Sequence, residues 1–180
     1  VVIPSTPLDA YSLLRASVVD PDPVVFLEPK SRYWSKEHGD LRADGEPIGR
    51  ARVVRDGDAC TIVAYGAMVA RSLAAAARLA EEGTECRVLD LRSLVPLDVE
   101  ALGSAARATG RAVVVHEAPL TLGFGAEVAA RIMEEAFDHL EAPVARVAGY
   151  DIPYPPATLE EHYVPSSERI ARAVRRTVEY

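Results

Sequence analysis

A chain of 180 residues that is 49% hydrophobic and 26% charged is long enough for one well-buried core, and this composition excludes disordered and fibrous polymers. Its formal charge of −7, with no block of Lys or Arg, argues against a nucleic-acid surface, because binding phosphates takes concentrated cations that release counterions. No signal peptide opens the chain and no apolar run approaches the ~20 residues that span a bilayer, so the expectation is a cytoplasmic protein with no membrane and no nucleic-acid partner.

Val1 stands where an initiator Met would be, and Val1–Ile3 reads as a strand stopped by Pro4 and Pro7. Leu8–Val19 predicts a helix with Leu13 and Leu14 inward, ended by Asp20-Pro21-Asp22-Pro23, and Val24–Leu27 a second short strand. Strand, helix, strand is the last unit of an α/β domain, and two strands do not make a stable sheet, so sequence upstream of Val1 is expected. Residues 29–50 are polar and Gly-containing with no sustained period, a linker in which Tyr33 and Trp34 are expected to pin the chain to a domain face.

From residue 51 to 180 the pattern is regular. Cys60–Tyr65 predicts a strand, Met68–Glu82 an Ala-rich helix ended by Gly83, Cys86–Leu91 a strand, and Asp98 the N-cap of a helix ending at Gly110. Ala112–Val115 is the next strand. In the following helix Ala129, Ile132, Met133, Ala136, Phe137 and Leu140 recur at helical spacing and predict its buried face. Pro143–Val147 is another strand, and a closing helix over Ser166–Tyr180 buries Ile170, Ala173, Val174 and Val178. Continuous apolar strands alternating with helices mean an α/β fold, a mostly parallel sheet with helices on both faces, preceded by the remnant of a second α/β domain at 1–28. Cys60 and Cys86 fall within apolar runs and read as small core residues of a reducing compartment.

The chemistry concentrates at "HEAPLTLGFG", His116–Gly125. His116 and Glu117 end a strand where open α/β sheets bind ligands, which suits an acid/base pair. Gly123 and Gly125 precede a helix, which offers backbone N–H groups to a phosphate, but no G-x-G-x-x-G is completed and no Walker Lys-Ser/Thr follows, so close turn packing is the competing explanation. His38, His116, His139 and His162 are isolated from one another, which leaves His116 an interface or supporting residue rather than a metal ligand. The sequence carries no G-x-S-x-G and no Cys-His or paired-carboxylate arrangement, so a self-contained hydrolase is disfavoured.

In order along the chain, "VVIPSTPLDAYSLL", "DPDPVVFLEPK", "TIVAYGAMV", "VLDLRSLVPLD" and "GRAVVVHEAPLTLGFGAEVAARI" resemble the C-terminal half of the β subunit of the thiamin diphosphate-dependent 2-oxo acid dehydrogenases, in the transketolase family. "HEAPLTLGF", "LEAPVARVAGYDIPYP" and the terminal "EY" resemble the branched-chain type more than the pyruvate type. A pyruvate dehydrogenase β subunit and a free-standing α/β ligand-binding domain are the alternatives. The resemblance implies that thiamin diphosphate and its Mg²⁺ are bound outside this chain, so that it supplies no catalytic or cofactor-binding residue and alone is inactive. It implies a possible potassium site at the main chain of Ser17, Asp20 and Asp22, and an interface role for the loop with His116, Glu117, Gly123 and Gly125. Its implied partners are the α subunit, a second β subunit paired through residues 51–180, and the subunit-binding domain of the dihydrolipoyl acyltransferase core. That basic domain would dock at Glu179 and Tyr180, with Glu160 and Glu161 nearby.

Overall fold

The computed structural model describes residues 1–41 and 47–180; positions 42–46, part of the expected linker at 29–50, lie outside it. A five-stranded sheet is built from β1 (Arg52–Arg55), β2 (Cys60–Ala64), β3 (Cys86–Asp90), β4 (Ala112–Pro119) and β5 (Ala145–Gly149), in the order β1-β3-β2-β4-β5. β2, β3, β4 and β5 are parallel, and β1 lies antiparallel on β3 at one edge. The sequence reading did not anticipate β1, because Arg-Val-Val-Arg has neither the length nor the apolar content of a buried strand. It forms because an edge needs only one neighbour and tolerates charge.

Helices α2 (Ala67–Glu81) and α6 (Ser167–Val178) cover one face of the sheet, and α3 (Val99–Thr109) and α4 (Gly125–Ala136) the other. This follows from right-handed crossovers: the path from β2 to β3 moves one way along the sheet, and the paths through β4 to β5 move the other. Strand side chains alternate accordingly. Ile62, Val88, Val113 and Val115 pack with Met68, Leu79, Ile170 and Val174, while Val63, Leu89 and Val114 pack with Leu102, Val128 and Ile132. Each such fully buried side chain is worth about 1.5–3 kcal/mol. Asp98 caps α3 through the Ala101 N–H at 3.1 Å, and Ser166 caps α6 through the Arg169 N–H at 3.2 Å. Gly110, at φ 64, closes α3 in the left-handed conformation that a side chain disfavours.

Three expectations about orientation are corrected. In α4 the buried stripe is Gly125, Val128, Ile132 and Ala136, so Met133 and Phe137 face outward; the helix sits against the sheet rotated from the face its apolar residues define. Leu14 is exposed while Leu13 of α1 (Pro7–Val19) is buried. Trp34 is 92% exposed and does not pin the linker; Tyr33 instead donates its hydroxyl to Glu28 at 2.6 Å.

The N-terminal segment makes no sheet of its own among the described residues. Val2 bridges Phe26 on one side and Ser93 on the other, and the Ile3 and Leu94 N–H groups donate to the Arg92 and Val1 carbonyls at 2.8 Å. Residues 1–3 are thus clamped between segment 25–27 and the loop after β3. Cys60 and Cys86 are free, buried and opposite each other in register, with burial pushing both thiols up, that of Cys86 to about 11.

Candidate functional site

β2 and β4 are neighbours whose chains leave in opposite directions, β2 toward β3 and β4 toward β5. This is the switch point at which open α/β sheets form a crevice at the carboxyl ends of the strands. On the β2 side stands the turn Tyr65-Gly66. Gly66 has φ 57, and a Cβ there would lie 2.7 Å from Ile3 Cδ1, so only glycine lets the N-terminal segment settle on this turn.

On the β4 side the strand runs on past the predicted Val115 to Pro119, and its pairing with β5 slips between Val115 and Pro119. His116 and Glu117 occupy the slip, and as successive strand residues they point to opposite faces. The acid/base pair therefore does not form. His116 is fully buried on the α4 side, with its ring stacked on Tyr65 at 6.4 Å between centroids and 5° between planes. A Cβ on Gly125 would stand 2.2 Å from His116 Nε2, and one on Gly123 2.6 Å from Cε1 and 2.2 Å from the Pro119 carbonyl oxygen. The two glycines make room for an imidazole rather than for a phosphate. Neither ring nitrogen meets a partner in hydrogen-bonding geometry. Burial, with Arg146 adding to it and the Ala118 backbone opposing, holds the ring below its ordinary pKa, so it stays neutral.

Glu117 points the other way, into a cleft of about 350 Å³ bounded by Lys30 and Arg32 from a short helical turn after Pro29, Arg71 from α2, and Glu160 and Glu161 from the short helix α5 (Glu160–Tyr163). Burial raises the Glu117 carboxyl, Arg71 lowers it and Glu160 raises it. Arg71 is held by both oxygens of Glu161, at 2.8 and 3.0 Å, and by the Pro165 carbonyl at 3.2 Å. Three cations and three carboxylates line this cleft.

A second polar cluster, which the sequence reading missed, joins the N-terminal segment to the sheet. Ser5 Oγ donates to Asp90 at 2.5 Å and lies 3.3 Å from Asp9. Asp9 pairs with Arg52 at 2.7 Å and with Arg92 at 3.7 Å, while the Arg92 N–H donates to Asp90 at 3.2 Å. Asp9, Asp90 and Arg92 are buried, and Arg92 has φ 53, a left-handed backbone that costs a non-glycine residue about 1–3 kcal/mol. Burial first, and the Asp9 charge with it, push the Asp90 carboxyl up to about 7 against the pull of Ser5 and Arg52. The one legible signal was a lone carboxylate inside the apolar run of β3.

The remaining candidates lie apart. Ser17 donates to the Leu13 carbonyl at 2.7 Å, the Asp20 N–H closes α1 on Ala16, and Asp20 accepts from the Asp22 N–H at 2.9 Å. Tyr180 is exposed and lines a groove with Phe137, Leu140, Pro143 and Val144. Glu179 follows a helix that presents Arg172 and Arg176, so the C-terminal region is not uniformly acidic. Among the described residues no cluster of three or more His, Cys, Asp or Glu could hold a metal ion, and no helix is long and apolar enough to cross a membrane.

Sheet order, crossovers and switch-point crevice define an α/β domain of the transketolase C-terminal class, and the family profile described as "Transketolase, C-terminal domain" matches residues 49–170. The chain is similar to the pyruvate dehydrogenase E1 component subunit beta of Leifsonia xyli subsp. xyli, 47% identical over 180 residues, which are 100% of this chain and 53% of that one. It is as similar to the 3-methyl-2-oxobutanoate dehydrogenase subunit beta of Mycobacterium tuberculosis, 47% identical over 179 residues, 99% of this chain and 51% of that one. A solved structure titled as a split gene transketolase, inactive beta4 tetramer, superimposes with a TM-score of 0.82 at 31% identity, over 99% of this chain and 56% of its own. The chain belongs to the transketolase C-terminal domain family. It spans about half the length of these relatives.

Proposed function

We propose that this chain is the C-terminal half of the β subunit of the decarboxylating component of a branched-chain 2-oxo acid dehydrogenase, in which residues 1–28 are the end of a pyrimidine-binding domain, 29–50 a linker, and 51–180 an assembly domain. The observation that carries it is collinear likeness over the whole chain to β subunits of both the branched-chain and the pyruvate enzymes. The preference for branched-chain substrates rests on His116-Glu117-Ala118-Pro119 and the Glu179-Tyr180 terminus. In the complete enzyme the reaction would be oxidative decarboxylation with acyl transfer to a lipoyl group, the thiamin ylid supplying the carbanion chemistry.

The residues present do not fit that cofactor. In the switch-point cleft Glu117, Glu160 and Glu161 offset Lys30, Arg32 and Arg71, so it offers a diphosphate and its metal no net positive charge, Arg71 is already paired with Glu161, and His116 is sealed from it. This chain's own part is therefore structural: the Ser5–Asp9–Asp90 cluster fixes the N-terminal segment on the sheet, and the outer faces meet other chains. Its partners would be the α subunit, a second β chain and, at Glu179 and Tyr180, the subunit-binding domain of the acyltransferase core. Self-association is supported by the solved relative described as a beta4 tetramer. A potassium ion at Ser17, Asp20 and Asp22 would be held by main-chain carbonyls at the end of α1, whose last turn carries no basic residue.

Isothermal titration tests the reading. No saturable uptake of thiamin diphosphate is expected, and micromolar binding by this chain would overturn it. Deleting Glu179 and Tyr180 should weaken capture of the isolated subunit-binding domain in a salt-dependent manner, and unchanged capture refutes the docking role. The cations of the cleft, Lys30, Arg32 and Arg71, favour a second reading as a free-standing anion-binding domain; stabilisation against heat by inorganic phosphate would select it.

A further inference from the structure

The switch-point cleft has two walls of opposite chemistry. On one, the short helical turn after Pro29 lies over the start of α2, since a Cβ on Gly66 would stand 3.5 Å from Pro29 Cγ. This wall presents Lys30 and Arg32. Ala67 brings to it the N-terminus of α2, which no side chain caps, so the positive end of the helix dipole adds to the two cations. The facing wall is the end of β4 with α5, packed so closely that a Cβ on Gly149 would stand 2.5 Å from both the Glu117 carbonyl oxygen and the Tyr163 ring. It presents Glu117, with Glu160 near enough to act on its charge. Arg71 reaches from α2 to Glu161 and to the Pro165 carbonyl and ties the walls together. Met68 and Val164, both buried, give the cleft an apolar surface between them.

Half of these charges are already used. Arg71 and Glu161 hold each other, and Glu160 accepts from the Tyr154 hydroxyl. Among the described residues the side chains of Lys30, Arg32 and Glu117 make no ion pair or hydrogen bond, and Arg32 Nε is buried without an acceptor. We infer that the cleft binds a small α-amino acid with an aliphatic side chain, its carboxylate on Lys30 and Arg32, its ammonium on Glu117 and its side chain on Met68 and Val164. Charge selects this class. A polyanion meets no net positive charge here, and a simple acid or a simple amine leaves the opposite wall unpaired and further desolvated. A ligand carrying both signs satisfies both walls, and an ammonium beside Glu117 offsets the burial that raises its carboxyl. At about 350 Å³ the cleft suits a single small molecule. The inference goes beyond both readings above, since neither a half-subunit nor an anion-binding domain calls for an unpaired carboxylate across from the cations.

Isothermal titration of the full 180-residue chain with L-leucine tests it. Saturable binding is expected, and it should be about tenfold or more weaker for isocaproate, which is leucine without its ammonium, and for isoamylamine, which is leucine without its carboxylate. Glu117→Gln should weaken leucine binding by about tenfold or more, while Glu134→Gln, on the exposed side of α4, should leave it unchanged. Lys30→Ala, at an exposed position where folding is not at stake, should weaken it by about threefold or more, so a folding defect in the Glu117 variant does not decide the matter. If isocaproate binds as tightly as leucine, the cleft is an anion site and the role of Glu117 is wrong. If leucine gives no saturable heat at millimolar concentration, or binds equally well to the Glu117 and Lys30 variants, the site itself is refuted.

Discussion

Replacing Asp90 by Asn should stabilise the chain most above neutral pH and progressively less as pH falls toward 3.8. In the folded chain the carboxyl is raised from 3.8 to about 7, chiefly by burial and secondarily by Asp9. Between those values the folded chain holds a proton that the unfolded chain has released. The stability that the protonated group contributes is therefore full below 3.8 and is lost as pH rises through about 7. The whole shift corresponds to about 4 kcal/mol, of which the span from pH 5 to about 7 carries about 3 kcal/mol, and relaxation around an ionised carboxylate would reduce the measurable part to about 1–3 kcal/mol. Asn keeps one oxygen to accept from the Arg92 N–H, its amide N–H donates to Ser5 Oγ in place of the protonated carboxyl while Ser5 turns its own proton to Asp9, and it does not ionise. Urea unfolding of both chains near pH 5 and near pH 8 reads the difference directly, because the change of stability with pH reports the protons released on unfolding. If the two chains lose or gain the same stability between those conditions, to within about 0.5 kcal/mol, Asp90 is ionised in the fold and the account of the cluster is wrong.

Three further outcomes follow from the same geometry. Gly125→Ala should cost about 1–3 kcal/mol through the clash with His116, and His116→Ala in the same chain should recover most of it; strict additivity in the double-mutant cycle would exclude the clash. Ile132→Ala should cost about 2–5 kcal/mol by emptying a buried site, while Phe137→Ala should stay within about 0.5 kcal/mol, a contrast that equilibrium unfolding resolves and that a reversed order would refute. The His116 imidazole should remain neutral as pH falls below 6.5, so that its contribution to stability is full above that value and is lost on acidification below it, toward the depressed folded pKa. An NMR titration of its ring protons with a midpoint at or above 6.5 would contradict its burial.

Local chemistry was enough to place most elements. The Asp98 and Ser166 caps, the Gly110 stop and the apolar runs at Cys60, Cys86 and Ala112 act within a few residues of chain, and the structure keeps each where the sequence put it. Alternation of these strands with helices set a mostly parallel, doubly covered sheet, and the order of the motifs set the family. Tertiary structure decided what depends on contacts between distant residues. Ile132, Met133 and Phe137 are apolar alike, and only the docking of α4 on the sheet selects which of them is covered. β1 exists because β3 offers an edge, a property of β3 and not of Arg52–Arg55. His116 and Glu117 are adjacent in sequence and could not be told apart by spacing; strand pleat and the slip against β5 send one into the core and the other into a cleft. Asp9 and Asp90 are 81 positions apart, so a carboxyl pKa near 7 arises only when folding removes water from both and leaves a single serine between them.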